Sequence, residues 1–151
     1  MKILRVYVEN SVVGGYFDDE FEEPTKKLFD EFKKGNYKAV ISSHVMAELE
    51  KGAPEYIIAN LESINYEKYS INDEMIDLAE KYLDEGIVSE KYRGDALHIA
   101  SATVISVDVL VSWNFKHIVN LNKIRLFNSI NFREEYEMLE IRTPQEVLND
   151  D

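Results

Sequence analysis

The feature that most constrains this chain is the alternation of short, β-branched apolar runs with helix-patterned stretches. "KILRVYV" (2–8), "YKAVISS" (37–43) and "DVLVSW" (108–113) read as strands, and helical patterning fills most of the chain between them. Strands separated by helices imply crossover connections, and strands buried on both faces read as nearly continuous apolar runs. The pattern predicts an α/β fold, a three-layer α/β/α sandwich around a central, mostly parallel sheet. No linker, internal repeat or low-complexity tract interrupts it, so residues 1–151 read as one domain.

Helix punctuation refines the outline. A helix is expected over about 22–34, with Pro24 near its start, Leu28, Phe29 and Phe32 on one face, and Gly35 as its stop. Ser43 is expected to cap "HVMAELEKG", which ends at Gly52, and Pro54 to open a helix over 54–63 as its first-turn residue. Residues 66–71 read as a strand, and Asn72 caps a long helix closed by Gly86. "EKYRGDALHIASATVISV" is apolar and rich in small residues, the mark of a central, buried helix. Polar "NFKHIVN" then leads into a helical segment to about 136 and a strand at 139–142. Thr143 with Glu146 forms a capping box for a last short helix. Gly14-Gly15 and "DDEFEE" (18–23) read as a mobile loop.

Charge narrows the chemistry. The net charge is −12, which argues against the broad basic face that usually supplies non-specific nucleic-acid affinity. It leaves open an enzyme whose cations are bound metal ions. Cysteine is absent, which excludes disulfides and thiolate metal sites. The N-terminal apolar run is too short and broken for a signal peptide, and no stretch approaches the ~20 apolar residues of a membrane span. A cytoplasmic protein is expected.

In an open parallel sheet, ligands bind outside the carboxyl ends of the strands. Glu9 stands at the tip of the first strand, and Asn114 stands just past "VLVSW". Glu48 lies in the helix after the second strand, and Asp95 in the first turn of the central helix. Two carboxylates ~5 Å apart repel by roughly 3 kcal/mol at an effective dielectric near 20. Convergent acids therefore call for hard divalent ions, Mg²⁺ or Mn²⁺. With 29 acids in 151 residues, some fall near strand ends by chance, and pattern alone leaves the convergence open.

The segments "VYVENSVVGGYFDDEF", "ISSHVMAELEKG", "YRGDALHIASA" and "VLVSWNFKHI" add a resemblance. In that order and spacing, to about residue 130, the chain resembles PIN-domain proteins of the branch that includes VapC-type toxins. The resemblance implies a metal-dependent endoribonuclease, the toxin of a type II toxin–antitoxin pair, acting on RNA as a homodimer. It implies a small antitoxin partner that inserts an arginine among the acids. The family's first acid falls on Glu9, with Ser11 as the nearby hydroxyl; the second falls on Glu48 and the third on Asp95. The fourth position, aspartate or in some branches asparagine, falls on Asn114. These four are the expected catalytic and metal residues, and Asn114 would offer a carbonyl oxygen or hold a metal-bound water. Two departures stand out: Glu9 replaces aspartate and is longer by one methylene, and Asn114 contributes no charge. They support the alternative of a catalytically degenerate PIN-like domain serving as a binding or assembly module.

Each residue also has a plainer reading. Asp95 stabilises a helix dipole, Glu48 is a solvated helix acid, and Glu9 accepts hydrogen bonds from its own turn. His98, one turn beyond Asp95, reads as a hydrogen-bonded core histidine and stands outside the catalytic set. Ser11, Arg93, Lys116 and His117 are substrate-binding candidates, with surface solvation as their alternative. Lys26, Lys27, Lys33, Lys34 and Lys38 form a strip that a solvated helix face explains. Trp113 and Phe115 are available to stack on a base or to pack in the core. Asp18 is a candidate acid supporting the site from behind.

Overall fold

The computed structural model describes residues 2–148. Strands β1 (Leu4–Val8), β2 (Tyr37–Ser42), β3 (Tyr66–Tyr69), β4 (Val109–Val111) and β5 (Ile141–Arg142) form one sheet in the order β3-β2-β1-β4-β5. Every neighbouring pair is parallel, with Val6 opposite Ala39 on one side and Val109 on the other. β1 is therefore the central strand, and Val6, Tyr7 and Val8 are fully buried. Each such side chain contributes roughly 1.5–3 kcal/mol of apolar burial.

The helices are α1 (Asn10–Gly15), α2 (Glu22–Lys34), α3 (Ser43–Gly52) and α4 (Glu55–Glu62), then α5 (Asp73–Asp84), α6 (Arg93–Ile105), α7 (Leu121–Arg133) and α8 (Pro144–Leu148). α2 packs on α1 and α8, while α5 packs on α6 and α7. The sheet lies between helical layers, the expected three-layer α/β/α arrangement. α6 buries Ala96, His98, Ile99, Ala100 and Ala102 on several faces, as its small-residue composition predicts. It begins later than expected, at Arg93, after a single 3₁₀ turn over Glu90–Tyr92. The expected cap of α5 by Asn72 and the Thr143–Glu146 capping box are both present.

Three local expectations are corrected. The segment through Gly14-Gly15 is helical, because the Glu9 carboxylate caps α1 and Val12 and Val13 are driven into the core. Ser42, not Ser43, caps α3 by accepting from the Val45 N–H at 3.3 Å, while Ser43 Oγ accepts from Ile71 N–H. Pro54 is the cap of α4, one residue before its first turn. β4 stops at Val111 because side-chain oxygens then take over the backbone. Ser112 Oγ accepts from Asn114 N–H at 2.9 Å, and Asn114 Oδ1 from the N–H groups of Lys116 and His117 at 3.2 and 3.0 Å.

Candidate metal centre

The parallel sheet delivers Glu9 and Asn114 past the carboxyl ends of adjacent strands, because β1 pairs with β4. The Glu9 N–H extends that pairing by donating to the Val111 carbonyl at 3.2 Å. Its side chain is buried at 5% exposure and is held from three directions. Oε1 accepts from the Ser11 and Ser112 hydroxyls, each at 2.6 Å, and Oε2 accepts from Ser11 N–H at 3.0 Å. One lone pair of Oε2 is left for another partner. Ser11 Oγ also accepts from Trp113 N–H at 2.8 Å, so this hydroxyl stitches the ends of β1 and β4 together.

Glu48 projects from α3 toward α6, where its Oε1 meets His98 Nε2 at 2.7 Å and its Oε2 meets His44 Nε2 at 3.3 Å. His98 is buried at 1% exposure, and its Nδ1 lies 2.8 Å from the Tyr7 hydroxyl. His44 Nε2 also lies 3.1 Å from the Gly94 carbonyl. A Cβ at Gly94 would stand 2.9 Å from Glu48 Oε2, so a side chain there would push that carboxylate aside. Burial works to raise the Glu48 pKa, but the His98 hydrogen bond and the nearby His98, His44 and Lys51 carry it below the usual carboxylate value. Burial, then His98, holds the His44 pKa down and its ring neutral at neutral pH.

Asp95 behaves in the opposite way. Burial first, then the charges of Glu9 and Glu48, push its carboxyl up to about 6, against a smaller downward pull from His98 and an Asn114 hydrogen bond. The structure thus brings Glu9, Glu48, Asp95 and Asn114 into one electrostatic neighbourhood. Adjacent acids driven apart in pKa are a signature of functional clusters. Among the described residues, a tighter group of ligand-type atoms, within 4.8 Å of one another, is formed by His44, Glu48 and His98.

Asn114 departs from expectation. Its carbonyl oxygen already accepts from two backbone N–H groups, which leaves the amide nitrogen to donate to Asp95. It orients Asp95 and has no lone pair free for an ion. Arg93 is tied to Glu80 and Glu90. It borders a cleft of ≈ 320 Å³ beside Glu48, together with His44, Lys51 and Leu97. Lys116 Nζ sits 5.9 Å above the Tyr92 ring, and the His117 ring lies 3.9 Å from it. Both His117 ring nitrogens are out of solvent without a hydrogen-bond partner among the described residues.

The remaining candidates resolve to packing. Trp113 stacks on Phe21 at 4.4 Å and donates from Nε1 to Thr25 Oγ1, while Phe115 is 52% exposed. Asp18 closes its own turn by accepting from Glu20 N–H. In the lysine strip, Lys26, Lys27 and Lys34 pair with acids one turn away on α2. Sequence reasoning missed His44, although its spacing of four from Glu48 places both on one helix face. It also missed Tyr7, which reads as core between two valines.

No protein-family model matches the chain, and no curated protein does. Solved structures do. The VapBC2 complex of Rickettsia felis, solved bound to a DNA fragment from its promoter, matches with a TM-score of 0.56 at 18% identity, over 91% of this chain and 98% of that one. The fold is that of a VapC-like PIN domain. VapC20 of Mycobacterium tuberculosis, a toxin that cleaves the sarcin–ricin loop, matches with a TM-score of 0.56 at 15% identity, over 74% of this chain and 92% of that one. Glu9 and Asn114 lie where the strand order places a ligand crevice, past the carboxyl ends of β1 and β4. Among the described residues, no helix is long and apolar enough to cross a membrane.

Proposed function

We propose that this chain is a divalent-metal-dependent endoribonuclease and the toxin of a toxin–antitoxin pair. The likeness of the fold to VapC toxins carries the reading, and Asp95, whose carboxyl is pushed up to about 6 by burial and by Glu9 and Glu48, supports a metal at the site. A fold gains nothing from an acid cluster raised in this way, whereas a bound dication neutralises it. Glu9 through its free Oε2 lone pair, Glu48 and Asp95 would hold such an ion, Mn²⁺ or Mg²⁺, as an all-oxygen donor set. When bound, the ion supplies Lewis acidity and a water of lowered pKa. The chain's own residues do the rest. Ser11 and Ser112 hold Glu9, the histidines hold Glu48, and Asn114 holds Asp95. Lys116, exposed at the rim beside the Tyr92 ring, would meet the RNA backbone, whereas the His117 ring nitrogens are turned away from solvent. An antitoxin arginine would neutralise the same acids, and a homodimer is part of the proposal.

One observation favours the rival, a PIN-like binding module without activity. The Glu9 carboxylate is largely occupied by internal hydrogen bonds. The two readings separate when wild type and Asp95→Ala are incubated with an RNA panel that includes a sarcin–ricin stem-loop, with Mn²⁺ or Mg²⁺. Metal-dependent cleavage lost in the variant supports the enzyme. A wild type that neither cleaves nor binds either metal leaves the binding module.

A further inference from the structure

We propose that His98 is a positioning residue for Glu48, locked by Tyr7 and Ser42 into the one tautomer that can hold the carboxylate. The proposal rests on Glu48 serving as a metal ligand. Four groups form an unbroken chain: Ser42 Oγ lies 2.8 Å from the Tyr7 hydroxyl, which lies 2.8 Å from His98 Nδ1, and His98 Nε2 lies 2.7 Å from Glu48 Oε1. Ser42, Tyr7 and His98 are all but excluded from solvent, at 0%, 0% and 1% exposure, so water does not substitute for the Ser42–Tyr7 or Tyr7–His98 link.

The direction of the chain follows from its ends. Ser42 Oγ accepts from Val45 N–H, and its hydroxyl hydrogen is free to go to Tyr7. Burial pushes the Tyr7 phenol up, so it keeps its proton and donates to His98 Nδ1. The Nε2 then carries the hydrogen and donates to the Glu48 carboxylate. The reverse polarity would aim an imidazole lone pair at a carboxylate oxygen 2.7 Å away, and that contact is repulsive. Ser42 is also the N-cap of α3, the helix that carries Glu48. The same hydroxyl thus fixes the start of the helix and, through two side chains, the tip of its functional residue. Outer partners that orient metal-ligating side chains act in this way.

The test uses the whole chain as wild type, His98→Leu, His98→Gln and Tyr7→Phe, with near-ultraviolet circular dichroism to verify packing. In metal-free wild type, long-range ¹H–¹⁵N correlation spectra are expected to show the Nε2–H tautomer of His98, and Tyr7→Phe to mix the two tautomers. An Nδ1–H tautomer in wild type overturns the proposal. By Mn²⁺ calorimetry, His98→Leu is expected to bind about 10–100-fold more weakly. His98→Gln, whose amide can still donate to Glu48, is expected to recover most of that loss. If His98→Leu does not fold, Tyr7→Phe carries the test, because it removes a hydroxyl and keeps the ring. Wild-type affinity in a folded His98→Leu or Tyr7→Phe overturns the positioning role alone. A wild type that binds no Mn²⁺ overturns the metal reading and this proposal together. Nitrogen modulation in the electron spin echo of bound Mn²⁺ that disappears in His98→Leu would make His98 a ligand and overturn the positioning role.

Discussion

Replacing Asp95 by asparagine is expected to stabilise the metal-free protein while weakening the proposed metal site. The Asp95 carboxyl rises from 3.8 to about 6 on folding, chiefly through burial and the charges of Glu9 and Glu48. The native state therefore binds this proton more tightly than the unfolded chain does. The penalty for ionising it is absent below the unfolded pKa, grows as pH rises between 3.8 and about 6, and is complete above. At about 1.36 kcal/mol per pH unit this amounts to roughly 3 kcal/mol if unscreened, and to about 1–2 kcal/mol for a half-buried group that water still screens. Asparagine matches the protonated acid in shape and can still accept from Asn114. Calorimetry in EDTA at pH 7.5 should show Asp95→Asn melting roughly 2–8 °C above wild type. At pH 4 the difference should nearly vanish. Saturating Mn²⁺ should invert the order, since wild type gains about 2.7 kcal/mol at 100 times its Kd and the variant gains little. An Asp95→Asn variant no more stable than wild type in EDTA at pH 7.5 would refute the reasoning, because the cluster would then carry no strain for a dication to relieve.

Further outcomes follow from neighbouring contacts. Gly94→Ala places a Cβ 2.9 Å from Glu48 Oε2, and titration calorimetry should show weaker Mn²⁺ binding. Gly14→Ala meets nothing within 4 Å and should raise stability in urea by about 0.5–1 kcal/mol through helix propensity. Ser112→Ala removes both a donor to Glu9 and the acceptor for Asn114 N–H. Urea unfolding should report a loss of roughly 1–3 kcal/mol. Asn114→Asp keeps the acceptor for Lys116 and His117 N–H but replaces the donor to Asp95 with a charge. Its metal-free melting temperature at pH 7.5 should fall, and Mn²⁺ should restore it.

The fold was legible because parallel strands buried on both faces read as continuous apolar runs, as Val6-Tyr7-Val8 and Val109-Leu110-Val111 do. α1 was not legible. Its Gly14-Gly15 pair carries a breaker signal, and only the Glu9 cap and the burial of Val12 and Val13 override it. The four expected site positions were picked out by their places after strands and in the helices that follow, and the family resemblance assigned them to one site; the plainer reading of His98 as a hydrogen-bonded core histidine agrees with its burial. The wiring was out of reach. His98 and Tyr7 are 91 positions apart and Ser112 and Glu9 are 103 apart, so no local pattern links them. The Asn114 amide could not be aimed from sequence either, because its direction is set by the backbone of the turn that follows it.

The two departures from the family pattern, Glu9 and Asn114, can be understood as one arrangement. The longer Glu9 side chain folds back far enough to cap α1 and to reach Ser112 across the β1–β4 seam. That position lends its hydroxyl to Asn114 N–H as well, so Ser112 ties the first acid to the fourth position. Asn114, anchored there, turns its amide toward Asp95. A carboxylate in its place would add about 3 kcal/mol of repulsion at ~5 Å to an acid already raised. The asparagine supplies a donor instead and partly offsets the push from Glu9 and Glu48. Glutamate at position 9 and asparagine at 114 thus let three acids share this buried sheet edge with less repulsion than four would create. On the proposed reading, a bound dication would relieve the repulsion that remains.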